Sequence, residues 1–125
     1  MQTTETKAKC EIWHKEYNLE KKENLNEIPD QKAVFGVFGI VNEEPINCRY
    51  IGETENLQEA VKELFENPQS KGMKEFMQGP WIQMLVYETM PESTEQERQK
   101  LCTNWIQEYK PNIDDEGEYP GYYEN

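Results

Sequence analysis

The chain has 125 residues, 35% hydrophobic and 30% charged, with 25 acidic against 13 basic side chains and a formal charge of -12. That length suits one domain with a modest core and excludes two. The charge argues against a polyanionic ligand, because nucleic-acid binding relies on neutralising phosphates, and the lysine doublets Lys7/Lys9 and Lys21/Lys22 stand among glutamates rather than in a basic stripe.

Met1 to Lys9 is polar and reads as a loose terminus. Cys10 to Leu19 carries Ile12, Trp13, Tyr17 and Leu19, enough apolar surface to dock, and is ambiguous between strand and coil. His14, the single histidine, has no neighbouring cysteine, serine or carboxylate constellation and reads as structure rather than as a catalytic base. Leu25 to Pro29 reads as a short helical turn stopped by proline.

Val34 to Val41 is an apolar run interrupted by Gly36 and Gly39, which suits a buried strand with a bulge or a close backbone approach. Asn42 to Asn47, with Pro45, reads as a hairpin loop, and Cys48 to Ile51 as a second short strand. Gly52 is expected to supply a sharp turn. Asn56 can cap a helix, with Glu59 placed to reach back, and Leu57, Ala60, Val61, Leu64 and Phe65 give that helix one apolar face.

Lys71 to Gln78 reads as a short helix with Met73, Phe76 and Met77 inward, broken by Gly79-Pro80. Trp81 to Tyr87 reads as the third strand. Ser93 with Gln96, or Thr94 with Glu97, offers a capping box for a last helix, on which Leu101, Cys102, Trp105, Ile106 and Tyr109 form the expected buried face. Pro111 stops it. Asn112 to Asn125 holds five acids, no bases and three tyrosines; it reads as a tail that folds back over the domain, with docking on a partner as the alternative.

Cys10, Cys48 and Cys102 are far apart and odd in number, with no CxxC spacing, so a zinc site is not expected and reduced thiols are. No apolar run approaches the length of a membrane helix, and the amino terminus lacks the apolar centre of a signal peptide. Together these give the expectation of a cytoplasmic protein with no membrane contact.

Gly36-Val37-Phe38, followed after eleven residues by Tyr50-Ile51-Gly52, the helix entry Glu53-Thr54-Glu55-Asn56-Leu57, and Trp105-Ile106-Gln107-Glu108-Tyr109-Lys110-Pro111 together resemble the GIY-YIG nuclease superfamily. The similarity covers Ile28 to Asp114. Enzymes of that family are understood to cut DNA with two tyrosines, an arginine, a histidine or tyrosine, and a metal-binding glutamate. Carried over by position, the resemblance puts Phe38 at the first tyrosine and Tyr50 at the second. It puts Ala60 at the arginine, Leu64 at the histidine and Cys102 at the glutamate, with Asp114 at a final asparagine. The nearest carboxylates for a displaced metal site are Glu97 and Glu108.

Cleaving a phosphodiester needs positive charge on the phosphoryl oxygens and an activated nucleophile. Ala60 cannot clamp a phosphate, Leu64 cannot relay a proton, and Phe38 lacks the phenol. The cleft is therefore expected to be packed shut, with no catalytic residues, metal or cofactor.

The fold expected is α/β, in stricter terms α+β: a small three-stranded, mainly antiparallel sheet flanked by helices. Residues 1–27 are expected to form a partly docked extension, 28–114 the GIY-YIG-like domain, and 115–125 an acidic tail. The function expected is contact with a protein partner of basic character, with nucleic acid an unexpected ligand. The alternatives are an endonuclease with displaced residues, a nucleic-acid-binding module, and an acidic nucleic-acid mimic.

Overall fold

The computed structural model describes residues 7–12, 14, 24–41, 44–68, 71–78 and 83–111. The chain runs β1 (Ala8–Ile12), a 3-10 turn (Leu25–Glu27), β2 (Ala33–Val41), β3 (Glu44–Thr54), α1 (Leu57–Glu66), α2 (Lys71–Met77), β4 (Gln83–Thr89) and α3 (Glu95–Tyr109). It is a mixed α+β fold with a four-stranded antiparallel sheet in the order β1-β4-β2-β3.

The expectation of three strands is corrected to four. The added strand comes from the segment read as an extension. Cys10 and Ile12 alternate with Lys9 and Glu11 at period two, so one face is apolar and the backbone pairs with β4 from Ala8↔Tyr87 to Ile12↔Gln83. The loose terminus expected up to Lys9 therefore gives way to ladder at Ala8. The hairpin loop is also shorter than expected, since β3 already pairs at Glu44 and includes Pro45 opposite Ile40. β3 is an edge strand, where a missing N–H is tolerated. The tail after Pro111, with Asp114, the apolar residues Trp13, Tyr17 and Leu19 expected to dock, and Trp81 and Ile82 at the start of the expected third strand lie outside the described residues.

Two apolar clusters lie on opposite faces of the sheet. Ala33, Phe35, Val37, Leu85 and Ile12 pack under α1 and α2, against Leu57, Val61, Leu64, Phe65, Met73, Phe76 and Met77. Val34, Phe38, Cys48, Ile51, Met84 and Val86 pack under Trp105 of α3. Both sets follow strand alternation, except across the register shift in β3, which brings Cys48 and Ile51, three residues apart, to one face. Gln83, buried in β4, donates to the Phe76 carbonyl at 2.8 Å and so ties the sheet to α2. His14 is buried as well, tilted against the Phe65 ring with centroids 5.3 Å apart, its Nε2 3.6 Å from Glu66 Oε2.

The helix starts follow the sequence closely. Asn56 caps α1 by accepting from the Glu59 amide at 3.1 Å. The return bond expected from Glu59 is made instead by Thr54, whose hydroxyl accepts from the Asn56 amide at 3.0 Å. For α3 the box is Thr94 with Glu97, at 2.9 and 3.1 Å. The expected apolar face of α3 is only partly apolar. Trp105 is buried, Leu101, Cys102 and Tyr109 are half-buried, and Ile106 is 43% exposed. The second buried residue of α3 is Arg98. No helix among the described residues is long and apolar enough to cross a membrane.

Candidate functional site

The two glycine-aromatic signatures meet across the β2–β3 ladder, with Phe35↔Gly52, Gly36↔Ile51 and Val37↔Tyr50 as direct partners. Gly52 lies inside β3, so the turn expected there is absent. What the position requires is space. A methyl group on Gly52 would stand 2.8 Å from the ring and hydroxyl of Tyr50, two residues back on the same face. Gly36 does the same for Phe38: a methyl there would stand 2.9 Å from the Phe38 ring and from Ile51 Cδ1. Each signature is an aromatic ring leaning along its own strand over a glycine.

The two rings lean on opposite faces. Because Val37 pairs with Tyr50, Phe38 points the other way. The ladder then slips between Val37 and Phe38 and again between Phe38 and Gly39, leaving Arg49 and Asn47 as extra residues of β3. Phe38 is 2% exposed and meets the edge of the Tyr109 ring at a centroid distance of 5.1 Å. Cys102 packs in the same cluster. Burial raises the Cys102 thiol above its ordinary pKa, and Glu53 adds to the effect.

Tyr50, Ala60 and Leu64 share the other face. With Phe35, Glu53, Thr54, Glu63 and Asn67 they line an open cleft of about 150 Å³. A cleft packed shut is expected at these positions, and an open one is found. Tyr50 is half-buried, its ring 5.7 Å from that of Phe35. None of the eight lining residues is basic. The Glu53 carboxylate turns to the opposite face, where it accepts from Arg98 Nε at 2.9 Å. Three amides of the first turn of α1, another means of holding a phosphate, are already taken. Leu57 donates to the Gln31 carbonyl at 2.9 Å, Gln58 to the Pro29 carbonyl at 3.1 Å and Glu59 to Asn56 Oδ1 at 3.1 Å.

Of the six positions assigned by resemblance, the five among the described residues thus divide, with Tyr50, Ala60 and Leu64 at the cleft and Phe38 and Cys102 in the cluster between the sheet and α3. The displaced carboxylates do not rejoin them. Glu97 is held in the capping box of α3. Glu108 lies eleven residues further along the same helix, about 16 Å away at the α-helical rise, with its Oε2 3.8 Å from Lys7 Nζ. Two carboxylates at that separation cannot hold one ion. Among the described residues no group of three histidine, cysteine or acidic side chains is placed to bind a metal.

Two side chains of consequence were not legible as such. Both arginines of the chain, Arg49 and Arg98, are 1% exposed. Arg49 sits over the Phe76 ring, 5.7 Å from its centroid. Arg98 joins α3 to Glu53 and donates through Nη1 to the carbonyl and hydroxyl of Ser93 at 3.2 and 3.0 Å. The available signal was scarcity: the other eleven basic residues are lysines, and an arginine within the row leading to Trp105 and Tyr109 suits a buried, multiply bonded site. The chain matches no protein-family model, none of the curated proteins and no solved structure.

Proposed function

We propose that this chain is a GIY-YIG-like domain that does not cut nucleic acid and that acts through contact with another protein. The observation that carries the reading is the make-up of the Tyr50 cleft. Its lining has a tyrosine where the family has one, but alanine and leucine where arginine and histidine stand, and no basic side chain among the described residues. Phosphoryl transfer needs charge stabilisation that such walls do not supply. Neither arginine substitutes for the missing one, since both are buried, and α1 offers no open first turn. The pairing of the two signature segments across one ladder supports the family reading.

Contact with a protein is supported by the surface. With a formal charge of -12 the chain is repelled by nucleic acid and attracted by basic proteins. Among the described residues the one large apolar side chain that is exposed is Ile106, so the interface proposed is polar and charge-led. All three cysteines are free thiols, in keeping with a reducing compartment such as the cytoplasm.

An anisotropy titration with labelled duplex and single-stranded DNA at physiological salt tests the reading. It predicts no binding tighter than ordinary non-specific association, about 1 µM or weaker. A tighter constant with a steep salt slope would contradict it.

A further inference from the structure

We propose that the open basin between the end of β4 and the start of α3 receives an arginine side chain from a basic partner protein, an assignment that rests on the protein-contact reading above and gives it a site. Met90, Pro91, Glu92, Ser93 and Glu97 line this basin of about 460 Å³, and most of its wall is apolar. Pro91 is exposed, and Met90 is half-buried, packed on its inner side against the Trp105 cluster. Both keep apolar surface within reach of a ligand, and the unbranched thioether adapts to what lies on it. Such a floor suits the methylene stem of a long cationic side chain. Glu92 and Glu97 supply the charge, and both are exposed. Among the described residues Glu92 is in no ion pair. Glu97 Oε1 accepts from the Thr94 amide at 2.9 Å, which fixes the carboxylate and leaves Oε2 with acceptor capacity for a cation.

The nearby Arg98 does not fill this role itself. Its Nη1 stands 3.0 Å from the Ser93 hydroxyl, yet the side chain is 1% exposed and its charge is met by Glu53 at 2.9 Å and Glu55 at 3.9 Å. Glu95 and Glu97, both in the first turn, answer the positive end of the α3 dipole. An anion at the basin would therefore meet Glu92, Glu97 and the negative field of the whole chain, whereas a cation is drawn in by all three. A guanidinium presents five donors on a planar fork, so it can serve two carboxylates at once, and its weak hydration lets it lie on apolar surface. An ammonium is a compact, strongly hydrated point charge and suits this wall less well.

The test uses the full chain and three blocked tripeptides, acetyl-Gly-Arg-Gly-amide and its citrulline and lysine counterparts, followed by ¹⁵N chemical shifts at low salt. Citrulline keeps the shape of arginine without its charge. The arginine peptide is expected to give saturable shifts at Met90, Glu92 and Glu97, the lysine peptide weaker binding at the same place, and the citrulline peptide none. Glu92→Gln should weaken arginine-peptide binding by about fivefold, the worth of one exposed ion pair. Glu97→Gln should do the same, and glutamine also closes a capping box, so that change probes the site without opening α3. Glu75, an exposed glutamate of α2 outside the basin, is the control, and Glu75→Gln should leave binding unchanged. Absence of saturable shifts at the basin, equal binding of the citrulline or the lysine peptide, or equal weakening by Glu92→Gln and Glu75→Gln would each overturn the assignment. If the titration fails while the protein still neither cuts nor binds DNA, the arginine site alone is lost; DNA cleavage would defeat the parent reading whatever the titration gives.

Discussion

Arg98 on α3 places its Nε 2.9 Å from Glu53 Oε1 on β3, and this ion pair joins helix to sheet at the end where α3 has few apolar contacts. Arg98 is 1% exposed, and Glu55 Oε2 lies 3.9 Å from its Nη2. Removing Arg98 leaves the Glu53 carboxylate, 22% exposed, and the Ser93 carbonyl and hydroxyl without their donor. Arg98→Ala is expected to lower unfolding free energy by about 3 kcal/mol in urea. The double replacement Arg98→Met with Glu53→Leu should recover most of that loss. A single replacement that leaves the urea midpoint unchanged would show that Trp105 and Tyr109 alone hold α3.

Gly52 is kept small by Tyr50. Alanine in place of a strand glycine is ordinarily neutral or favourable, but here its methyl would stand 2.8 Å from the tyrosine ring. Gly52→Ala is expected to cost about 2 kcal/mol through displacement of that ring. In a Tyr50→Ala background the same change should cost at least about 1 kcal/mol less, a coupling that a double-mutant cycle reads directly. Additive effects would mean the ring does not depend on the glycine.

Cys48 gives the protein a sensitivity to alkali. Burial pushes its thiol up to about 12 from an ordinary 9.0. Between those values the folded chain keeps the proton and the unfolded chain has lost it, so stability is fully present below pH 9 and declines as pH rises towards 12. The expected slope is about 1.4 kcal/mol per pH unit, beyond that of a Cys48→Ala variant. Parallel stability–pH curves for the two proteins would disprove it.

Lys7, the residue before β1, clamps the end of α3. Its Nζ donates to the Tyr109 hydroxyl at 2.7 Å and lies 5.2 Å from the Trp105 ring and 5.0 Å from the Tyr109 ring. Lys7→Met keeps the stem and removes the charge, and is expected to cost about 1 kcal/mol. Thermal melts of the two proteins give the comparison, with no change in Tm counting against the clamp.

Local signals carried much of the fold into the sequence. Asn56 and Thr94 announce their helices because a side-chain cap needs only neighbouring residues. What was hidden depends on partners distant in sequence. β1 is five residues long and polar on one face, so only β4 makes it a strand. Pro45 looks like a loop residue until β3 is seen to be an edge. Arg98 looks like part of a solvated face until Glu53 arrives from 45 residues away. The division of the candidate site has the same origin. A register one residue over would set Phe38 and Tyr50 on one face, and nothing in either segment alone fixes that register.

Phosphodiester chemistry at Tyr50 is the property whose absence matters most here. Purified protein incubated with supercoiled plasmid and with single-stranded DNA, in magnesium or manganese, is the measurement. The prediction is no nicking or linearisation beyond the buffer control, with the same result for Tyr50→Phe. Cleavage by the wild-type chain that Tyr50→Phe abolishes would contradict it.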